Sequence, residues 1–303
     1  MKKDFHRRDF LALAGLGDLV FASGLTACSR AAGAAAPATA LAGRSKRDDF
    51  FFLQMSDTHW GYSGPSNPQA DVTLEHAVAT LNALDAQPDF IVFTGDLTHT
   101  TDDATQRRER MKRFREIASR LKVKELHFLP GEHDAAPDRG EAYRENFGEP
   151  TYAFVHKGVH FVALDNASQP GGAIGEGQLR WLEDEVAKVP SDVPLVVLAH
   201  RPLFPLWPDW EWATKDGARA VELLDRRGGA TMFYGHIHQE NHTTTGAVTH
   251  HAARSLVFPL PAPGSVPKKV PLPWDPASPD HGLGWRTVAF DDGVLRAREE
   301  PFR

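Results

Sequence analysis

From Asp49 onward, short apolar runs alternate with amphipathic stretches along the chain. Phe50 to Met55, Phe90 to Thr94 and Glu125 to Leu129 have strand length, and each closes in a polar cluster. Between the first two, Val72, His76, Ala79 and Ala83 alternate around a predicted helix with Leu74, Val78, Leu81 and Leu84, and Gln87-Pro88 stops it. A second helix is predicted over Asp102 to Leu121, with Met111, Phe114, Ile117, Ala118 and Leu121 as its buried stripe. Thr151 to His156 and Val159 to Leu164 read as a hairpin turning at Lys157-Gly158. Glu176 to Val189 reads as helix and Leu195 to Ala199 as buried strand. Ala218 to Arg227 follows as a helix closed by Gly228-Gly229, then Ala230 to Tyr234 as strand. This alternation predicts α/β layers, with helices covering a largely parallel sheet. Ligands of such sheets gather at the carboxyl ends of the strands.

Both ends of the chain break the pattern. From Ala253 to Gly282 there are eight Pro in thirty residues, which predicts an ordered wrap or extended loop, and Trp285 to Phe290 with Val294 to Arg298 read as a closing hairpin around Asp291-Asp292-Gly293. Residues 1–27 have a basic start, an apolar run from Phe10 to Ala27 and small residues at its end, the layout of an export signal. The run is short and carries Asp18, so it is not read as a membrane span. Arg7-Arg8 followed by Asp9, Phe10 and Leu11 resembles a twin-arginine signal. Leu25-Thr26-Ala27-Cys28 resembles a lipobox, which would make Cys28 the lipid-modified first residue of a cell-envelope protein; cleavage at a later Ala-rich site is the alternative. Residues 28–45 then read as an Ala/Gly-rich tether, and 46–303 as one domain, its motif-bearing core spanning 49–251 and its wrap and hairpin 253–303.

Composition narrows the chemistry. With 34 Lys+Arg against 40 Asp+Glu and a net charge of −6, the 303-residue chain has no basic field for a polyanion, so specific nucleic-acid binding is not expected. One Cys permits no internal disulfide and no thiolate metal cluster. The 15 His are then the notable ligand stock. Five strands end in ligand or acid–base residue types: Asp57-Thr58-His59, Gly95-Asp96, Gly131-Glu132-His133-Asp134, His200, and Gly235-His236-Ile237-His238. An Asp at a strand end is commonly a turn former, and a lone His a structural hydrogen-bonder. All five occurring in order, each behind a buried run, is another matter.

In this order the clusters resemble the calcineurin-like metallophosphoesterases, whose pattern is DxH, GD, GNH followed by Asp or Glu, an isolated His, and GHxH. The resemblance covers about Asp49 to His251. It implies a four-layer α-β-β-α sandwich of two mixed sheets. It implies one metal held by Asp57, His59, Asp96 and His238, and a second held by Asp96, position 132, His200 and His236, with Asp96 bridging. His133 would be the general acid, with Asp134 orienting it. The chemistry asks for the same set. Two cations sharing a hydroxide provide a nucleophile at neutral pH and cancel phosphoryl charge, and an imidazole can protonate the leaving alkoxide. Carboxylate and imidazole donors suit two transition-metal ions, Mn, Fe or Zn, over an all-oxygen Mg or Ca site.

The chain departs from that pattern at Glu132, where the family has Asn. Two divalent ions against Asp57, Asp96 and Glu132 leave one positive charge, one fewer than with Asn. The extra carboxylate could favour a trivalent ion or monoanionic diesters, or simply replace Asn as a ligand. His99, Arg201, Trp207 and Trp210 are candidate substrate contacts, the two Trp lying in the aromatic run LFPLWPDWEW; solvent-facing, ion-paired or packing roles are the alternatives. The reading is hydrolysis of a small-molecule or lipid-headgroup phosphate ester, a diester foremost. A monoesterase or pyrophosphatase using the same site, and a non-catalytic metal-dependent binding protein, are the alternatives, and the oligomeric state is open. Membrane contact is expected only through Cys28. Replacing Arg7 and Arg8 by Lys is expected to strand the precursor in the cytoplasm, and Cys28→Ser to abolish fatty-acid labelling; cell fractionation and labelling check both.

Overall fold

The computed structural model describes residues 21–23 and 49–302. The twin-arginine motif, Cys28 and the tether lie outside the described residues. Strands run in chain order as β1 (Phe21–Ser23), β2 (Phe50–Met55), β3 (Phe90–Thr94), β4 (Leu126–Leu129), β5 (Tyr152–His156), β6 (Val159–Ala163), β7 (Leu195–Leu198), β8 (Ala230–Tyr234), β9 (Asn241–Thr245), β10 (Val248–Ala252), β11 (Gly284–Asp291) and β12 (Val294–Pro301). Helices are α1 (Ala70–Asn82), α2 (Ala104–Ala118), α3 (Glu132–Ala135), α4 (Glu141–Phe147), α5 (Glu176–Ala187) and α6 (Gly217–Arg227).

The strands form two six-stranded mixed sheets, ordered β1-β12-β11-β2-β3-β4 and β5-β6-β7-β8-β10-β9. In the first, β2, β3 and β4 are parallel and β11 returns antiparallel to β2. In the second, β6, β7, β8 and β10 are parallel, with β5 and β9 as antiparallel edges. Two sheets thus replace the single, largely parallel one that the strand–helix alternation suggested. The reason lies in the two-residue period of each strand. Phe50 and Phe52 face the inter-sheet core while Phe51, Leu53 and Met55 face α1 and α2. In the second sheet, Phe161, Val196 and Leu198 face that same inter-sheet core, and Val162, Leu195 and Val197 face α5 and α6. The central strands therefore have two apolar faces, which produces the helix–sheet–sheet–helix layering. Aromatic rings weld the seam: Phe52 stacks on Phe90 at 4.8 Å and meets Phe161 and Phe233 edge-on.

Helix ends follow local chemistry. Asp103 caps α2 by accepting from the backbone N–H groups of Thr105 and Gln106, so the helix starts two residues inside the predicted span. The predicted stripe Met111, Phe114, Ile117 and Ala118 is buried, as is Leu121 beyond the helix. On α1 the buried set is Leu74, Ala77, Val78 and Leu81, while Val72 is exposed. The Pro-rich stretch contains no helix or strand, and β11 and β12 form the expected hairpin, with positive φ at Asp292 and Gly293. The β9–β10 hairpin and the short helices α3 and α4 went unpredicted; His250 and His251 occupy β10, whose polar composition hid it. No helix among the described residues is long and apolar enough to cross a membrane.

His250 lies at the buried end of this pattern, its ring against Phe204, and burial pushes its pKa down to about 4. The unfolded chain takes up this proton near pH 6.5 and the native state only near 4, so this contribution to stability is complete above pH 6.5 and is lost as pH falls toward 4. At pH 5 the loss attributable to His250 is about 2 kcal/mol. Denaturant titrations at pH 7 and pH 5 are expected to show a shallower acid-side decline for His250→Gln than for the parent.

Candidate metal centre

The five polar clusters meet where the two sheets abut. Sheet one supplies Asp57, His59 and Asp96 after β2 and β3, with Glu132 and His133 after β4; sheet two supplies His200, His236 and His238 after β7 and β8. Five of these residues turn out of their strands with a left-handed backbone: Asp57 (φ 53°), His59 (41°), Asp96 (48°), His236 (68°) and His238 (54°). Non-glycine residues seldom adopt this region, at a cost of order 1–3 kcal/mol each. The loops offset it by bonding to one another. The N–H groups of Asp57, His59 and Trp60 donate to the carbonyls of Gly95, Asp96 and Leu97 at 3.0, 2.9 and 3.1 Å, and that of Gly235 to His200 at 3.0 Å.

Two groups of side chains result, with the candidate ligand atoms of each lying within 4.8 Å of one another: Asp57, His59 and His238, and Asp96, Glu132, His200 and His236. In the first, the Nε2 atoms of His59 and His238 are 3.3 Å apart, and Asp57 Oδ1 lies 3.3 Å from His238 Nε2. In the second, His200 Nε2 and His236 Nδ1 each lie 2.9 Å from a Glu132 oxygen. Asp96 Oδ2 stands between the groups, 3.4 Å from both His59 Nε2 and His200 Nε2.

The outer nitrogens of three imidazoles meet backbone carbonyls. His200 Nδ1 donates to Thr94 (2.7 Å), His238 Nδ1 to Phe258 (2.8 Å) and His236 Nε2 to Glu211 (3.1 Å). A carbonyl can only accept, so a proton sits on that nitrogen and the inward nitrogen is the one left to face a metal. Glu132 Oε2 and His200 Nε2 are buried and lack an aligned hydrogen bond. Burial opposes ionisation of Glu132, but the charges of His236, His200 and Arg201 outweigh it and hold its carboxyl well below the ordinary value. His200 is likewise disfavoured as a cation by burial, yet Asp96 and Glu132 raise its pKa well above the usual imidazole value. The donor set, its orphaned lone pairs and its demand for positive charge fit two divalent cations.

His133 accepts from the Thr100 N–H at Nδ1 (3.2 Å), so its proton is on Nε2, which lies 4.0 Å from Asp96 Oδ2. Asp134 does not orient it. The buried Asp134 carboxylate accepts from the N–H groups of Gly131 (3.0 Å), Leu97 (2.9 Å) and Thr98 (2.9 Å) and from the Thr98 hydroxyl (2.9 Å), stapling the Asp96 loop to the Gly131 turn. Burial and Asp96 push its pKa up to about 7. His99 packs beside the site, its Nδ1 3.3 Å from His59 Nδ1; burial, then the His133 and Arg110 charges, push its pKa down to about 4.

Of the three indoles in the aromatic run, only that of Trp207 is exposed. Trp210 and Trp212 are buried in the core of sheet two, and Trp207 rests against Gly264 of the Pro-rich wrap. The loop instead presents a carbonyl, that of Glu211, which takes both His236 Nε2 and Arg201 Nη1 (3.2 Å). Three positioning residues were hidden from sequence reasoning. Asn166 accepts the N–H groups of His200 and Arg201 (3.1 Å each) through Oδ1. Ser56 donates to Asp57 Oδ2 (2.5 Å), and the Phe258 carbonyl fixes His238. Only the position of Asn166 at a strand end hinted at its task.

An α/β sandwich with two carboxylate–imidazole groups sharing one aspartate defines a binuclear metallohydrolase type of site. The calcineurin-like phosphoesterase signature matches residues 52–240, and the chain belongs to that family. It is 31% identical over 220 residues to the "cAMP/cGMP dual specificity phosphodiesterase" of Mycobacterium tuberculosis, covering 65% of this chain and 64% of that protein. It is 29% identical over 161 residues to the "Probable glycerophosphodiester phosphodiesterase GpdQ" of Arcobacter nitrofigilis, covering 50% of this chain and 57% of that one. The matches thus span about 60% of the length of these relatives. A dimetal phosphatase from Danio rerio shares the fold, with a TM-score of 0.57 at 13% identity over 84% of this chain and 99% of that one.

Gly131 and Gly235 permit this convergence. A Cβ at Gly131 would lie 2.0 Å from Asp96 Oδ1, and one at Gly235 1.9 Å from Ser56 Oγ. Gly131→Ala is expected to cost about 1–3 kcal/mol of stability and to displace Asp96, so that metal analysis finds fewer than two ions per chain after loading, against two in the parent.

Proposed function

We propose that the protein is an exported phosphodiesterase using two transition-metal ions, Mn, Fe or Zn, to hydrolyse a small-molecule or lipid-headgroup phosphodiester. The observation that carries it is the placement of a proton-bearing His133 Nε2 at the bridging oxygen of Asp96, between two complete ligand groups. Asp57, His59, Asp96 and His238 would hold one cation, and Asp96, Glu132, His200 and His236 the other. Such a pair of cations lowers the pKa of water toward neutrality and cancels charge on the phosphoryl oxygens.

The protein's own groups supply the rest. The His133 backbone N–H donates to Asp96 Oδ1 at 2.9 Å, so the turn that carries the acid also fixes the bridging carboxylate. After taking up a second proton, the His133 imidazolium would give its Nε2 proton to the departing ester oxygen, which as an alkoxide is too basic to leave unprotonated, and return to neutral imidazole. Asp134 keeps the Asp96 and His133 turns at fixed separation. Two features support a diester over a monoester. Both relatives described above bear phosphodiesterase names. Arg201, the cation beside Glu132, is already held by that carboxylate and the Glu211 carbonyl, so it offers a dianion no uncommitted guanidinium. Export rests on the Arg7-Arg8 and Cys28 patterns alone.

With two Mn2+ bound, bis-p-nitrophenyl phosphate is expected to be turned over faster than p-nitrophenyl phosphate. His133→Ala should lower kcat about 10²–10⁴-fold for an alkyl diester, whose leaving group needs the proton, and far less for the p-nitrophenyl ester, whose leaving group does not. No turnover of any ester, with Asp96→Asn indistinguishable from the parent, would instead identify a binding protein.

A further inference from the structure

Arg201 follows His200 immediately, yet it does more than continue the loop. It is 6% exposed, and its place is fixed independently of Glu132. Asn166 holds its peptide from both sides, accepting the Arg201 N–H and donating to the Arg201 carbonyl at 2.9 Å. The Glu211 carbonyl takes Nη1, and the guanidinium fills the space a Cβ would need at Gly172, where it would meet Nη1 at 3.0 Å. Arg201 Nη2 then lies 3.5 Å from Glu132 Oε2. Among the described residues, no other carboxylate is ion-paired with this guanidinium. A buried guanidinium without a counter-charge is costly, and Glu132 supplies the anion it needs.

Glu132 is where the chain departs from the family motif, and the geometry bears on why. A carboxylate has two acceptor oxygens and can serve a cation and a guanidinium together. An Asn would reach one methylene less far, and its amide NH2 would confront the guanidinium donor to donor. We propose that Glu132 and Arg201 are a matched pair: the guanidinium offsets the charge that Glu adds, so the centre keeps the net charge of an Asn version while gaining an anionic ligand. The pair rests on the metal-centre reading above. It makes Arg201 a positioning and charge-balancing residue for the second cation site rather than a free anion hook.

The test is a double-mutant cycle on the full chain, using parent, Glu132→Gln, Arg201→Gln and the double variant. Calorimetric titration with Mn2+ is followed by titration of the loaded proteins with inorganic phosphate, and near-ultraviolet circular dichroism checks folding. Glu132→Gln should weaken the second Mn2+ about tenfold or more, because it removes an anion and leaves Arg201 uncompensated. Adding Arg201→Gln should recover about fivefold or more of that loss, the scale of a direct charge coupling. Arg201→Gln alone should change Mn2+ binding by less than about twofold and weaken phosphate; Arg201→Lys, which keeps the charge, should stay close to the parent on both. Equal effects of Arg201→Gln in both backgrounds, within about twofold, would overturn the pair and make Arg201 an independent ligand contact. A parent that binds fewer than two Mn2+ per chain would fail the metal-centre reading itself, a result visible before any variant is made.

Discussion

Three carboxylates and four imidazoles gathered at the seam of two sheets, all but Glu132 buried, are the constraint on which the rest of the structure turns. Asp96 Oδ2 lies 3.4 Å from one imidazole nitrogen of each ligand group, and Asp57 and Glu132 stand against His238, His200 and His236. Such a cluster is unfavourable in a low-dielectric interior unless positive charge is shared across it. Everything around it either supplies that charge, as Arg201 does, or withholds the lone pairs from competing partners. Backbone carbonyls of Thr94, Phe258 and Glu211 occupy the outer nitrogens of three imidazoles, so the inner nitrogens have nothing to bond but one another and the carboxylates.

The sandwich makes this arrangement rigid. Sheet one brings the carboxylates and His59; sheet two brings the other three imidazoles. Neither sheet carries a complete ligand group of the second kind, so the site exists only when the aromatic seam of Phe52, Phe90, Phe161 and Phe233 is closed. Five left-handed residues at strand ends show how much local strain the seam sustains. The polar groups that would have relieved this strain by rearranging are tied off between loops, and Asp134 is the clearest case. Four donors converge on it, so it locks two ligand-bearing turns together and is not available to the neighbouring His133 ring.

Most of the elements were legible because their burial follows simple periods. The strands Phe50–Met55, Phe90–Thr94 and Ala230–Tyr234 were bounded as observed, since apolar runs closed by polar clusters leave little choice. β10 was missed for the opposite reason: Val-Thr-His-His-Ala reads as polar, and its histidines are buried only because Phe204 and Phe233 cover them. Short helix α3 was missed because four residues give no period. At the site, the seven residues that meet in the two groups were readable from residue type and order. The roles of Asn166, Glu211 and Phe258 were not, because they act through a side-chain amide or a carbonyl that any residue could present.

The sequence alone determined which side chains could bear metal and proton chemistry, since that is a property of residue type, spacing and the exclusion of thiolates from a chain with one Cys. It also determined that strands alternate with helices that must cover a sheet, whereas the second sheet came only from the packing. Tertiary structure decided which partners those side chains keep. His133 and Asp134 are adjacent in sequence yet point to different tasks, while Glu132 and Arg201, 69 positions apart by their numbers, meet at 3.5 Å. The physical reason is that hydrogen bonds and ion pairs act over a few ångströms of space, and adjacency along a turn sends successive side chains apart. Only the closing of one sheet upon the other brings the distant partners within that range.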